Sequence, residues 1–140
     1  EESVPEYSEH GRDHAPGFDP IAEQVALSAC RMARRLGAKA IIAPTASGFS
    51  ARNVARFRPG CAVVAPTNSL AAARRLALSF GVIPVLTEAL LNPDKPLWEH
   101  VKKLPEMPEC EAGDYLVFIG GIPAGRSGIT NFVKVEQAGV

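Results

Sequence analysis

Apolar residues recur at steps of three and four in Ile21, Val25, Ala29, Met32 and Leu36, the spacing of a single helical face. The pattern predicts a helix that turns this stripe to the core. Asp19 suits its N-cap, and Pro20 the first helical position, where a missing N–H costs nothing. Arg31, Arg34 and Arg35 crowd the last turns, where cations suit the helix dipole, and Gly37 can take the left-handed conformation that ends a helix. The period then changes. Lys39-Ala40-Ile41-Ile42-Ala43-Pro44 is a short apolar run suited to a buried strand. After the turn Thr45-Ala46-Ser47-Gly48, a second helix is expected over about 49–57, stopped by Pro59. Residues 62–65 form a second strand. Asn68 is expected to cap a third helix carrying Leu70, Ala73, Leu76, Ala77 and Phe80 and closed by Gly81.

Residues 82–86 read as a third strand, and Pro84 within it cannot donate a ladder hydrogen bond, so this strand belongs at a sheet edge. Residues 88–113 are rich in Pro and Glu, and only 97–104 has a weak helical pattern. Tyr115-Leu116-Val117-Phe118-Ile119 is a fourth strand, and Phe132-Val133-Lys134-Val135 alternates as a half-exposed fifth. Strand–helix alternation implies parallel strands joined by right-handed crossovers. The Gly-rich link between strands four and five holds no helical pattern, which favours an antiparallel return. The expected fold is therefore α/β: a doubly wound, five-stranded, mostly parallel sheet, its last strand antiparallel, with helices on both faces.

At 140 residues the chain fits one domain, read as an arm or linker over 1–18 and an α/β domain over 19–140. Basic and acidic residues balance at 15 each, which argues against a nucleic-acid partner or a charged membrane surface. No apolar run reaches the ~18–20 residues that would span a bilayer. The start is polar, lacks a signal-like apolar core and opens on Glu1, which points to a piece cut from a longer protein. Cys30, Cys61 and Cys110, odd in number and widely spaced, read as reduced thiols of a cytoplasmic protein.

Open doubly wound sheets bind ligands beyond the carboxyl ends of their strands, where the winding reverses. Two loops leave such ends. Thr45, Ala46, Ser47, Gly48, Phe49 and Ser50 offer three hydroxyls and backbone N–H groups at a helix start, a setting for phosphate, or simply a cap and a tight turn. The other loop, 120–128, includes Gly125, Arg126, Ser127 and Gly128; its glycines allow close backbone approach and its guanidinium suits phosphate or carboxylate. The two meet only if strands one and four are neighbours.

Sharper chemistry is missing. The glycine spacing is not a dinucleotide fingerprint, and no Walker A pattern occurs. His10, Asp13 and His14 sit on an arm that Gly11 and Pro16 keep from being helical. Asp94, Glu99 and His100 lie in a polar segment where charge is ordinary solvation, and Ser47 and Ser50 have no base near them in the sequence. No catalytic or metal-ligating set is therefore expected.

The run from Ala38 to Arg52, continued by Ala55-Arg56-Phe57-Arg58-Pro59, resembles the C-terminal domain of bacterial pyruvate kinases. So do Ala73-Arg74-Arg75-Leu76-Ala77-Leu78, Gly81-Val82-Ile83-Pro84-Val85-Leu86, and the ending 120–135 with Ser127-Gly128-Ile129-Thr130-Asn131. The likeness covers about 19–87 and 111–140, and Tyr7 with the arm matches, more loosely, the linker after that family's catalytic barrel. The resemblance implies a regulatory and oligomerising domain attached to a barrel that uses phosphoenolpyruvate, ADP, magnesium and potassium, with no barrel in this chain. It implies a phosphorylated allosteric effector, a sugar phosphate such as fructose 1,6-bisphosphate or ribose 5-phosphate, or AMP. The effector phosphate would sit on the loop matching Thr45, Ser47, Gly48 and Ser50, closed over by that matching 125–128. It also implies a subunit contact of a homo-oligomer. Ala46 and Phe49 stand where some members carry basic residues, and 88–110 is shorter than the helix usually found before strand four.

Two other readings follow from the residues: a vestigial site on a domain that only mediates assembly through its terminal strand, and a small enzyme acting on a phosphorylated substrate.

Overall fold

The computed structural model describes residues 19–88, 96–121 and 129–139. Helix α1 (Pro20–Leu36) starts as its sequence dictates: the Asp19 carboxylate accepts from the N–H groups of Ile21 and Ala22, and Gly37 closes the helix at φ 61°. Strand β1 (Ala40–Ile42), helix α2 (Phe49–Ala55), strand β2 (Ala62–Thr67), helix α3 (Leu70–Leu76) and strand β3 (Val82–Leu86) follow. The chain continues through the short helix α4 (Trp98–Val101), β4 (Tyr115–Gly120) and β5 (Phe132–Gln137).

The five strands form one sheet in the order β3-β2-β1-β4-β5. All neighbours pair in parallel except β4 and β5, which run antiparallel. β3, which contains Pro84, is an edge strand, where a missing donor is best tolerated. The winding runs from β1 out to β3, then returns to place β4 on the other side of β1. The reversal therefore falls between β1 and β4.

Right-handed crossovers made in one direction leave their helices on one face. α2 and α3 accordingly share a face, and α1, which precedes β1, packs on the same one, burying Ala29, Val54 and Leu76 against Ile41, Val63 and Val117. The opposite face is covered more lightly: Leu97 and Val101 of the α4 segment lie on Ile42, Val64, Leu116 and Phe118.

The sequence reading of α1 is corrected in one respect. The stripe turned inward is Ala22, Ala26, Ala29, Cys30 and Ala33, whereas Ile21, Met32 and Leu36 are exposed. Small side chains let the helix lie close on β4 and against α2, so the helix is rotated from the orientation that residue size alone suggests. In α3 the N-cap is Ser69, not Asn68; its hydroxyl accepts from Ala72 N–H. That helix ends at Leu76, which leaves Phe80 beyond it and exposed; within it Ala72 and Leu76 are buried and Leu70 is exposed. α2 is likewise shorter than expected. Its end is held by Arg34, whose guanidinium donates to the carbonyls of Phe57 and Arg58.

α4 has no cap of its own. Glu136 of β5 supplies one, accepting from Leu97 N–H at 3.0 Å and Trp98 N–H at 3.3 Å while pairing with Lys134 at 3.3 Å. Charge-assisted bonds contribute up to ~1.5–3 kcal/mol at good geometry; with one of the two stretched to 3.3 Å, Glu136→Ala should cost about 2 kcal/mol. Trp98, the one tryptophan, reports it directly: urea unfolding should shift to lower midpoint with red-shifted fluorescence. Glu99→Ala removes only an exposed i,i+3 pair with Lys102 and should change little. Equal effects of the two variants would rule out the cross-element cap.

Candidate functional site at the winding reversal

β1 delivers its chain to the crevice through Ala43 and Pro44. Thr45 is then anchored on β2, its N–H donating to Pro66 O at 2.9 Å. From there the loop bonds to itself. Thr45 Oγ1 accepts from Gly48 N–H at 2.8 Å, and Ser47 Oγ accepts from Phe49 N–H at 3.4 Å. Gly48 turns into α2 at φ 94° and, as N-cap, brings no side chain to the first helical N–H groups. Its left-handed backbone and its seat over Leu76 explain why glycine stands there; a Cβ would lie 3.3 Å from Leu76 Cδ2. Ala46 and Ser47 are exposed, and Thr45, Phe49 and Ser50 are half-buried.

The second loop leaves β4 at Gly120 and Gly121. A Cβ on Gly121 would sit 2.2 Å from Ile129 O, so the strand exit and the returning chain are in backbone contact. Asn131 N–H donates to Gly120 O at 2.9 Å and begins β5. Gly125, Arg126, Ser127 and Gly128 lie outside the described residues. The two loops meet through their flanks: Ser50 Oγ and Thr130 Oγ1 are 2.8 Å apart, and Thr130 is buried.

Two participants escaped the sequence reading. Arg75 of α3 donates to Ser47 O at 3.3 Å, which puts a guanidinium beside a loop with no cation of its own. The doubled arginine at 74–75 was a signal without an address, because only the packing of α3 beside α2 brings it there. Thr130 stands in the 127–131 run that carried the family likeness, but nothing local marked it as the partner of Ser50, 80 residues away.

Among the described residues, none in the crevice is arranged as a nucleophile with its base. Ser50 bonds to another hydroxyl, and Cys30 is a core thiol that donates to Val54 O, its pKa pushed up to about 12 by burial despite nearby Arg34. Burial also raises Cys61 and Cys110, and all three cysteines are free. Glu99 is held below its usual range by its hydrogen bond to Lys102. No group of three or more His, Cys, Asp or Glu gathers as a metal would need among the described residues. Asp94, His10, Asp13 and His14 lie outside them. No described helix is long and apolar enough to cross a membrane.

The pyruvate kinase alpha/beta domain model matches residues 23–136. A pyruvate kinase of Sporosarcina psychrophila is 34% identical over 119 residues, which is 85% of this chain and 20% of that protein. One from Clostridium acetobutylicum is 36% identical over 115 residues, 82% of this chain and 24% of the other. One from Clostridium perfringens is 31% identical over 126 residues, covering 90% and 27%. The chain thus spans a fifth to about a quarter of the length of these relatives. The family model over most of the chain, with these relatives, places the chain in the pyruvate kinase alpha/beta domain family.

Proposed function

We propose that this domain is the regulatory and assembly unit of a pyruvate kinase, and that the crevice between β1 and β4 takes the phosphate of a sugar phosphate or AMP. Residues 45–50 would hold the phosphate, and 125–128 would close over it. The chemistry of phosphoenolpyruvate and ADP, with its magnesium and potassium, would belong to the catalytic part of such an enzyme and not to this domain. The observation that carries the reading is the Ser50–Thr130 contact at 2.8 Å, which joins the flanks of both loops at the winding reversal, where ligands of such sheets bind. Hydrogen bonds to a phosphate are charge-assisted and contribute ~1.5–3 kcal/mol each. Exposed Ser47, beside the Arg75 guanidinium, is the residue most open to it.

An effector changes activity only by preferring one arrangement of the whole enzyme, so the subunit contacts matter as much as the loop. Calorimetry with fructose 1,6-bisphosphate, ribose 5-phosphate and AMP tests the site. Ser47→Asp places a carboxylate where the phosphate would lie, and affinity should fall by at least about tenfold, or ~1.4 kcal/mol. Unchanged binding in this variant would remove the loop from the site.

A second reading, in which the site is vestigial and the domain serves assembly alone, draws support from two features. The Thr45, Ser47 and Ser50 hydroxyls already have partners within the protein. β5 is an edge strand with Val135 exposed, a surface suited to a second copy. A chain that stays monomeric at high concentration in light scattering would refute it.

A further inference from the structure

Zero net charge conceals a strong segregation. Residues 19–87 carry nine cations, eight of them arginines, against only Asp19 and Glu23, a net charge of +7. All eight arginines are exposed. They belong to α1, α2, α3 and the turn after α2, which together cover one face of the sheet. On α1, Arg31 and Arg35 stand a turn apart opposite the buried alanines, about 6 Å along the axis. Arg52 and Arg56 repeat that spacing on α2, and Arg74 faces outward on α3. Arg56 pairs with Glu23 at 3.0 Å.

At one end of this face the character changes. Phe80 is 78% exposed and Leu78 91%. The Arg58 guanidinium lies 4.5 Å over the Phe80 ring. Arg58 itself has φ 51°, a left-handed conformation that costs a non-glycine residue roughly 1–2 kcal/mol, and its carbonyl is held by Arg34. The backbone is thus kept in an unfavourable state that presents a cation and an aromatic ring together to solvent.

We propose that this face docks a single-stranded nucleic acid, with backbone phosphates on the arginines of the three helices and an unpaired base on the Phe80–Arg58 stack. Three features favour this occupant. Planar guanidinium forks, rather than lysines, match phosphate oxygens bidentately. Cations on three adjacent helices offer a path along a chain of phosphates. An exposed ring with a guanidinium over it is a stacking platform, which a base-paired duplex cannot use but a single strand can. An acidic polypeptide would satisfy the arginines and leave that platform empty. The charge balance of the whole chain, which argued against nucleic acid, averages this face with an acidic remainder.

The test is fluorescence anisotropy of a labelled oligothymidylate with the full chain, against a duplex of equal length and polyglutamate as competitors. If about five phosphates are neutralised, affinity should fall about 100-fold between 50 and 200 mM salt. Arg52→Glu with Arg74→Glu should weaken binding more than tenfold at low salt. Phe80→Ala should weaken it at least about fivefold without changing the salt slope. Lys103→Glu, on the opposite side of the sheet, should leave it unchanged. All four positions are exposed, so unchanged circular dichroism is expected. Absence of saturable binding at low salt, equal competition by duplex or polyglutamate, or indifference to both Arg52→Glu/Arg74→Glu and Phe80→Ala would overturn the proposal.

Discussion

Gly121→Ala is expected to lower the unfolding free energy by about 3 kcal/mol, the upper part of the range for overpacking a tight site. The reason is steric. The new Cβ would stand 2.2 Å from Ile129 O and 3.0 Å from its carbonyl carbon, and both are backbone atoms that cannot rotate away. Relief requires the chain at 129 to move off the end of β4. The next residue is Thr130, so the same movement should separate its hydroxyl from Ser50 and loosen the junction of the two loops. Gly120→Ala makes the informative comparison. Its Cβ would lie 2.8 Å from Phe132 Cε1, a ring atom of a half-buried side chain that can turn, so the cost should be nearer 1 kcal/mol. Urea unfolding of both variants checks the order. Equal midpoints would show that the exit of β4 and the returning chain are not in contact.

Signals carried by one or two neighbouring residues transferred directly from sequence to fold. Asp19 and Gly37 bound α1 because caps act locally. Pro84 predicted an edge strand because a missing donor is best tolerated there, and β3 is at the edge, although the interior strand β2 also carries a proline, Pro66, near its end. The helix-free link after β4 predicted the antiparallel return of β5. From strand order alone followed the reversal between β1 and β4, where Ser50 and Thr130 join the flanks of the two loops.

What failed had tertiary causes. Periodicity ranks Ile21, Met32 and Leu36 as core because they are large, but α1 packs through alanines, whose small size permits close approach to the sheet. Asn68 and Ser69 are both able to cap, and the choice of Ser69 goes with Thr67 Oγ1 accepting from Ser69 N–H. Arg75 and Thr130 enter the crevice region from distant parts of the chain, where no local pattern points to them. The segregation of arginines was present in the sequence as a count, but its meaning depended on all three helices falling on one side.

Leu76→Ala joins core and crevice in one experiment and should be the other large effect. Leu76 is fully buried, and its Cγ and Cδ atoms are those a Cβ on Gly48 would meet at 3.3–3.8 Å. The side chain is thus the floor on which the turn of the Thr45–Ser50 loop rests. Truncation removes a buried leucine's transfer free energy and leaves a void, a loss of about 2–5 kcal/mol. The void opens beneath Gly48, whose N–H and C=O hold Thr45 Oγ1 and Arg52 N–H, so the loop should lose its fixed shape along with the core. Val101→Ala supplies the control: Val101 is equally buried, but belongs to α4 and packs on the other face of the sheet. Both variants should unfold at lower urea concentration, yet only Leu76→Ala should speed amide exchange at Gly48, since local opening tracks local packing. Matching exchange rates at Gly48 in the two variants would mean that the loop holds its shape through its own hydrogen bonds, independent of the leucine beneath it.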